Sequence, residues 1–186
     1  MAMTRQVAFS SDRHYRYWLQ RRWNPDLPRL LFVGLNPSSA DADRDDPTLR
    51  RLMGFARVWG FGQLDVVNLF ALCSVSPALL RRSKDPVGED NDQWLKSHLM
   101  RLRSGLRGCP RESDALLVGW GNGGCWRQRD QQVLDLIADD LQPEVRLLAL
   151  GFTASGQPRH PLYIPSAAPP FGLHHPGMMR RLELIR

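Results

Sequence analysis

Four short runs of consecutive apolar residues punctuate the chain: 29–35 (RLLFVGL), 64–70 (LDVVNLF), 115–120 (ALLVGW) and 146–151 (RLLALG). Each is continuous rather than alternating, as in strands covered on both faces, which predicts a mainly parallel sheet between helices. The stretches between them carry helical periodicity. Residues 47–59 place Leu49, Leu52, Met53 and Ala56 on one stripe, behind an Asp46 N-cap and with Pro47 in the first turn. Residues 88–102 align Trp94, Leu95, His98, Leu99 and Leu102, and residues 127–141 align Val133, Leu134, Ile137 and Leu141. Alternating strands and helices of this kind predict an α/β fold, a three-layer α/β/α sandwich around a mainly parallel four-stranded sheet. The partly alternating segment 13–23 (RHYRYWLQRRW) is a candidate antiparallel edge strand. Residues 155–176, rich in Gly, Pro and His, predict an ordered loop, and 178–185 a short closing helix. No repeat or linker divides the chain, so a single α/β domain over residues 1–186 is expected.

Composition narrows the class. A 186-residue chain with 42% hydrophobic and 24% charged residues can bury a sizeable core. No apolar run approaches the ~20 residues of a membrane span, and the first residues lack the apolar core of a signal peptide. A soluble, cytoplasmic, monomeric domain without a membrane partner is the expectation. The formal charge is +6, and of 25 cationic residues only Lys84 and Lys96 are lysines. Arginine suits phosphates and stacked bases, which makes DNA or a nucleotide a plausible partner, although a GC-rich genome explains the bias equally well. Three cysteines, Cys73, Cys109 and Cys125, are too far apart and too few for a disulfide framework, a zinc site or an iron–sulfur cluster.

In a parallel sheet ligands bind beyond the carboxyl ends of the strands. That rim collects Asn36, Ser38 and Ser39 after the first run, Asn68 and Phe70 at the end of the second, Trp120 at the third, and Arg159, His160, Leu162 and Tyr163 after the fourth. Amides, hydroxyls, an imidazole and aromatic rings suit a flat, neutral, hydrogen-bonding ligand such as a nucleobase. Asn68 offers a base edge both a donor and an acceptor, and Phe70, Trp120 or Tyr163 could stack on its face. Each feature has a plainer reading: Asn36-Pro37 as a capped turn, Asn68 as a satisfier of nearby backbone, His160 as a structural histidine. Residues 121–124 match neither a dinucleotide fingerprint nor a P-loop and read as a turn. Asp41, Asp43, Asp45 and Asp46 lack the glycine and terminal glutamate of a calcium loop, so a solvated loop ending in a helix cap is favoured over a metal site. The adjacent pair His174 and His175 has no further ligands nearby in sequence.

From Tyr15 to Tyr163 the chain resembles the bacterial and phage domain-of-unknown-function family 1643, on LNPSSAD, DDPT, VVNLFA, DPVG, END and GQPRHPLY. A more distant resemblance links it to the uracil-DNA glycosylase superfamily, whose sheet is likewise parallel and covered on both faces. VGLNP (33–37) is similar to the turn after that superfamily's first strand, LDVVNLF to its base-reading strand, and His160-Pro161-Leu162 to a shortened HPSPL loop. The resemblance implies that Asn36 orients the attacking water, Asn68 reads the base, His160 stabilises the leaving base and Leu162 wedges into the duplex. Here Ser38 stands where the superfamily turn carries Gly or Tyr. The implied activity is hydrolysis of the N-glycosidic bond of a flipped uracil or other damaged or modified base, without a cofactor or metal. Arg50, Arg51, Arg159, Ser38 and Ser39 would then hold the DNA backbone. Two alternatives stand beside it: a non-catalytic nucleotide or nucleic-acid binding module, and an enzyme of free nucleotides or nucleosides.

Overall fold

A computed structural model describes residues 2–103 and 113–172. In chain order its elements are β1 (Thr4–Phe9), β2 (Arg16–Arg22), β3 (Arg29–Gly34), α1 (Pro47–Val58), β4 (Gln63–Asn68), α2 (Pro77–Arg82), α3 (Asn91–Met100), β5 (Ala115–Val118), α4 (Arg129–Asp140), β6 (Arg146–Ala149) and β7 (Phe171–Gly172). The strands form one mixed sheet in the order β1-β2-β4-β3-β5-β6-β7. All four apolar runs are strands, and β4, β3, β5 and β6 pair parallel to one another.

Helices on both faces explain why those four strands are apolar throughout. On one face Leu49, Leu52, Met53, Phe55 and Ala56 of α1 pack against Leu30, Phe32, Leu64 and Leu117. On the other, Leu95 and Leu99 of α3 and Val133, Leu134 and Ile137 of α4 pack against Leu31, Val33, Val67 and Leu116. Each large apolar side chain contributes about 1.5–3 kcal/mol by leaving water, so the sheet is held between two apolar layers. As the sequence predicts, α1 opens on Asp46, whose carboxylate accepts from the Leu49 amide at 2.7 Å, with Pro47 following. None of the described helices is long and apolar enough to cross a membrane.

Three strands beyond the expected four are antiparallel. Segment 13–23 does supply a strand, but β2 is not at the edge: it pairs with β4 on one side and with β1 on the other. The edge belongs to β1, whose TRQVAF sequence is half polar because its outer residues face solvent. At the opposite edge two residues, β7, pair with β6 inside the segment expected to be loop, which also contains a 3-10 turn at Pro161–Tyr163. Cys109, His174, His175 and the expected helix 178–185 lie outside the described residues.

Candidate functional site

The carboxyl ends of β3, β4 and β5 surround a cleft of about 360 Å³. Of the residues expected at the site, Asn36, Ser38, Asn68, Trp120, His160 and Tyr163 line it. Asn68 is the last residue of β4 and only 3% exposed, yet its amide nitrogen has no hydrogen-bond partner, and none of the described residues donates to its Oδ1. Gly34, paired with it on β3, makes that position available: a Cβ at residue 34 would stand 2.9 Å from Asn68 Oδ1 and 2.9 Å from the Phe32 ring. Behind the strand Asn91 Nδ2 donates to the carbonyls of Asn68 and Leu69 at 3.1 and 3.0 Å, fixing the backbone that carries the side chain.

Asn36 follows β3. Its Nδ2 donates to the carbonyls of Pro37 (2.9 Å) and Ser74 (2.8 Å), which fixes which end of the amide is which. Its Oδ1 accepts no hydrogen bond from the described residues and stays available as an acceptor. His160 arrives on a loop tied down by Gly121 N–H to Pro158 O (2.8 Å) and Arg159 N–H to Gly151 O (2.9 Å). Gly119 lets this loop close in, since a Cβ there would meet Arg159 O at 3.2 Å and the Phe32 ring at 2.9 Å. Burial pushes the His160 pKa down, with Asp46 opposing, so the ring is neutral at pH 7. Its Nδ1 accepts from the Leu162 amide, which leaves the proton on Nε2 as a donor. Tyr163 is 82% exposed, its ring tilted 58° to the imidazole at 5.9 Å. Trp120 is buried, its indole N–H donating to Gln157 Oε1 at 2.6 Å, and it forms a fixed piece of the wall.

The other expected residues lie elsewhere. Phe70 is fully buried on the α3–α4 face, tilted against Trp126 at 5.1 Å, and cannot stack on a ligand in the cleft. Strand alternation would have put it on the side of Asn68. But β4 ends at Asn68, and Leu69 and Phe70 both turn to the opposite face. Ser39, Arg50, Arg51, Arg159 and Leu162 are not part of the lining. Arg50 donates to Asp45 O and Arg159 Nε to Phe152 O (2.9 Å). Arg51 ties α1 to the following loop through Ile164 O and Ser166 Oγ, with its guanidinium over Phe55. The acidic run has structural employment: Asp41 caps the amides of Asp43 and Arg44, Asp45 pairs with Arg5 and Arg21, and Asp46 caps α1.

Sequence reasoning passed over Arg16, Asp46, Thr48 and Ser74, all of which line the cleft. Asp46 and Thr48 come with the α1 cap, whose position after β3 was legible. Nothing in the sequence pattern singles out Arg16.

The model of the family described as "Protein of unknown function (DUF1643)" matches residues 16–162, a span that holds every lining residue except Tyr163. No curated protein and no solved structure matches the chain.

Proposed function

The chain belongs to DUF1643, a family of proteins of unknown function, and we propose that its cleft receives a nucleobase flipped from DNA and serves hydrolysis of that base's N-glycosidic bond. The observation that carries this reading is Asn68: a buried carboxamide whose amide nitrogen has no partner and whose Oδ1 accepts from none of the described residues, at the end of a central strand and in the lining of the cleft. Leaving a buried amide unpaired costs about 1–3 kcal/mol, a penalty that a base edge offering one donor and one acceptor would relieve.

The other groups have compatible roles. The Asn36 Oδ1 accepts a hydrogen bond from a water and so directs a lone pair of the water oxygen at the anomeric carbon. A bond forms from that water oxygen to carbon as the carbon–nitrogen bond breaks, and the bonding pair leaves with the base. The water's proton passes to solvent, leaving an abasic sugar. Neutral His160, with Nε2–H free, donates to the anion developing on the base, and an exposed Tyr163 supplies a stacking face. Leu162, 43% exposed beside Tyr163, would fill the gap a flipped base leaves. The fold supports the reading in its order of parts: a turn after β3, an asparagine ending β4 and a histidine loop after β6, as in the uracil-DNA glycosylase superfamily.

A second reading, an enzyme or binding module for free nucleotides, is favoured by the rim. Arg50, Arg51 and Arg159 each spend a donor on a backbone carbonyl, and among the described arginines and lysines only Arg16 lines the cleft. Single-turnover assays on oligonucleotides carrying uracil, hypoxanthine or a mismatched base, as single strands and duplexes, separate the two. Abasic-site formation that drops roughly 100-fold or more in Asn36→Ala and Asn68→Ala is expected. Absence of cleavage by the wild-type protein on every substrate would refute the glycosylase reading, and turnover of monomers with little salt dependence would establish the second.

A further inference from the structure

Arg16 reaches the cleft because β2 carries one extra residue. Along the β1–β2 pair Ala8 stands opposite Trp18 and Phe9 opposite Arg16, so Tyr17 is the additional residue of a β-bulge. In a regular strand Arg16, three positions from Leu19, would point to the opposite face. With the bulge both side chains line the same cleft, while Tyr17 and Trp18 both stack on Trp94 of α3, at 6.2 and 6.1 Å. The β2–β4 register, with Leu19 opposite Val66, brings the Arg16 end of β2 alongside the Asn68 end of β4.

The side chain is held but not paired. Arg16 is 4% exposed, and Nη1 donates to Ala40 O at 2.6 Å. Nε has no partner, none of the described residues accepts from Nη2, and none of the ion pairs among those residues includes Arg16. Asp46 and Asp41 act on it only at longer range, beside Arg21 and the Cys73 thiol, and burial lowers its pKa from the ordinary arginine value. Both carboxylates are already engaged with backbone amides. A buried guanidinium with no carboxylate in contact is unfavourable, and an anionic occupant would relieve that cost. The Nε–Nη2 edge, unpartnered among the described residues, is the edge that takes two oxygens of one oxyanion. Ser38, Thr48 and Asn68 line the same cleft, as does Asp46, whose carboxylate is engaged with the Leu49 amide.

We propose that this cleft is a phosphate-binding site in which Arg16 holds two oxygens of one phosphate along its Nε–Nη2 edge. The phosphate belongs to a free nucleotide or to a nucleic-acid strand; the chemistry of recognition is the same. The site stands independently of glycosidic-bond cleavage, since binding needs none of the hydrolytic steps.

Calorimetric titration and thermal melting with deoxyuridine, deoxyuridine 5′-monophosphate and a short oligodeoxynucleotide with unphosphorylated ends test this. The expected result is that at least one phosphate-bearing probe binds 10-fold or more tighter than deoxyuridine and raises Tm. Preference for the monophosphate identifies a free nucleotide, and preference for the oligonucleotide a strand. Arg16→Gln should lose that 10-fold advantage while deoxyuridine binding is unchanged. Equal binding of deoxyuridine and both phosphate-bearing probes, or no binding of any phosphate probe at millimolar concentration, overturns the proposal. Should Arg16→Gln fail to fold, Asn68→Asp keeps Arg16 and places a carboxylate on its face of the sheet. That variant should melt above the wild type and lose phosphate binding; a lower Tm with phosphate binding retained would overturn the proposal as well.

Discussion

Asn91 anchors the strand end on which the candidate site depends, and its replacement has a calculable cost. The side chain is 1% exposed at the start of α3, with Nδ2 shared between the carbonyls of Asn68 and Leu69 and with Oδ1 unpartnered. Asn91→Ala removes two hydrogen bonds worth about 1 kcal/mol each net. The Leu69 carbonyl keeps its bond from Arg129 Nε at 2.8 Å, and loss of the unpaired Oδ1 offsets part of the void, so about 2 kcal/mol of destabilisation is expected. Asn91→Asp keeps the shape but turns an acceptor toward two carbonyls. Burying that unpaired carboxylate should cost about 3–5 kcal/mol at pH 7. Because burial raises the folded-state pKa of the new carboxyl above its unfolded value of about 3.9, protonation restores a donor, and the deficit should shrink as pH falls toward 5. Urea unfolding at pH 7 and pH 5 measures both variants. An Asn91→Asp protein as stable as Asn91→Ala at pH 7, or a pH-independent deficit, would refute the assignment of the amide nitrogen to these carbonyls.

Two further outcomes follow from neighbouring contacts. Gly34→Ala puts a Cβ 2.9 Å from both Asn68 Oδ1 and the Phe32 ring, so it should cost about 1–3 kcal/mol in urea unfolding and weaken cleft ligands at least 10-fold; unchanged ligand affinity would show that Asn68 need not hold its position. His98 is buried between Trp18 and Trp94 with neither ring nitrogen bonded, and burial pushes its pKa down to about 4. A depressed histidine pKa means the unfolded chain takes up the proton first, so stability is full above pH 6.5 and falls by about 3 kcal/mol as pH drops from 6.5 to 4. His98→Phe should flatten that part of the stability profile, and an identical slope in both proteins would assign the acid sensitivity to other groups.

The parallel centre of the fold was legible because burial on both faces leaves a continuous apolar run that no solvent-exposed element needs. The runs overshoot the strands at their carboxyl ends, at Leu69 and Phe70, for instance, because the turns that follow are buried as well. The half-polar β1 and the six-residue α2 gave no such signal, their stability coming from pairing and capping rather than from periodicity. Asn36, Asn68 and His160 were legible in the cleft lining from position, since polar residues at the ends of apolar runs collect there, although Ser39 and Arg159, placed by the same rule, do not line it. Arg16 was not, because a single-residue bulge reverses the face on which it sits and leaves composition and periodicity untouched. Phe70 failed for a different reason: it was placed on the rim because it ends the second apolar run, but the strand stops at Asn68 and the residues after it turn to the α3–α4 face.

The cleft draws its lining from Arg16 on β2 through to Tyr163 after β6, nearly the whole described chain. Translation therefore imposes a schedule on it. At about 5–20 residues per second, His160 leaves the ribosome roughly 7–30 s after Arg16. During that interval the emerging chain holds an unpaired arginine and unsatisfied asparagines with no enclosure around them, and nothing that requires the closed cleft can bind. Any ligand that stabilises the cleft can act only once the chain has been made through Tyr163 and folded, which makes occupancy a report of cleft assembly as well as of chemistry.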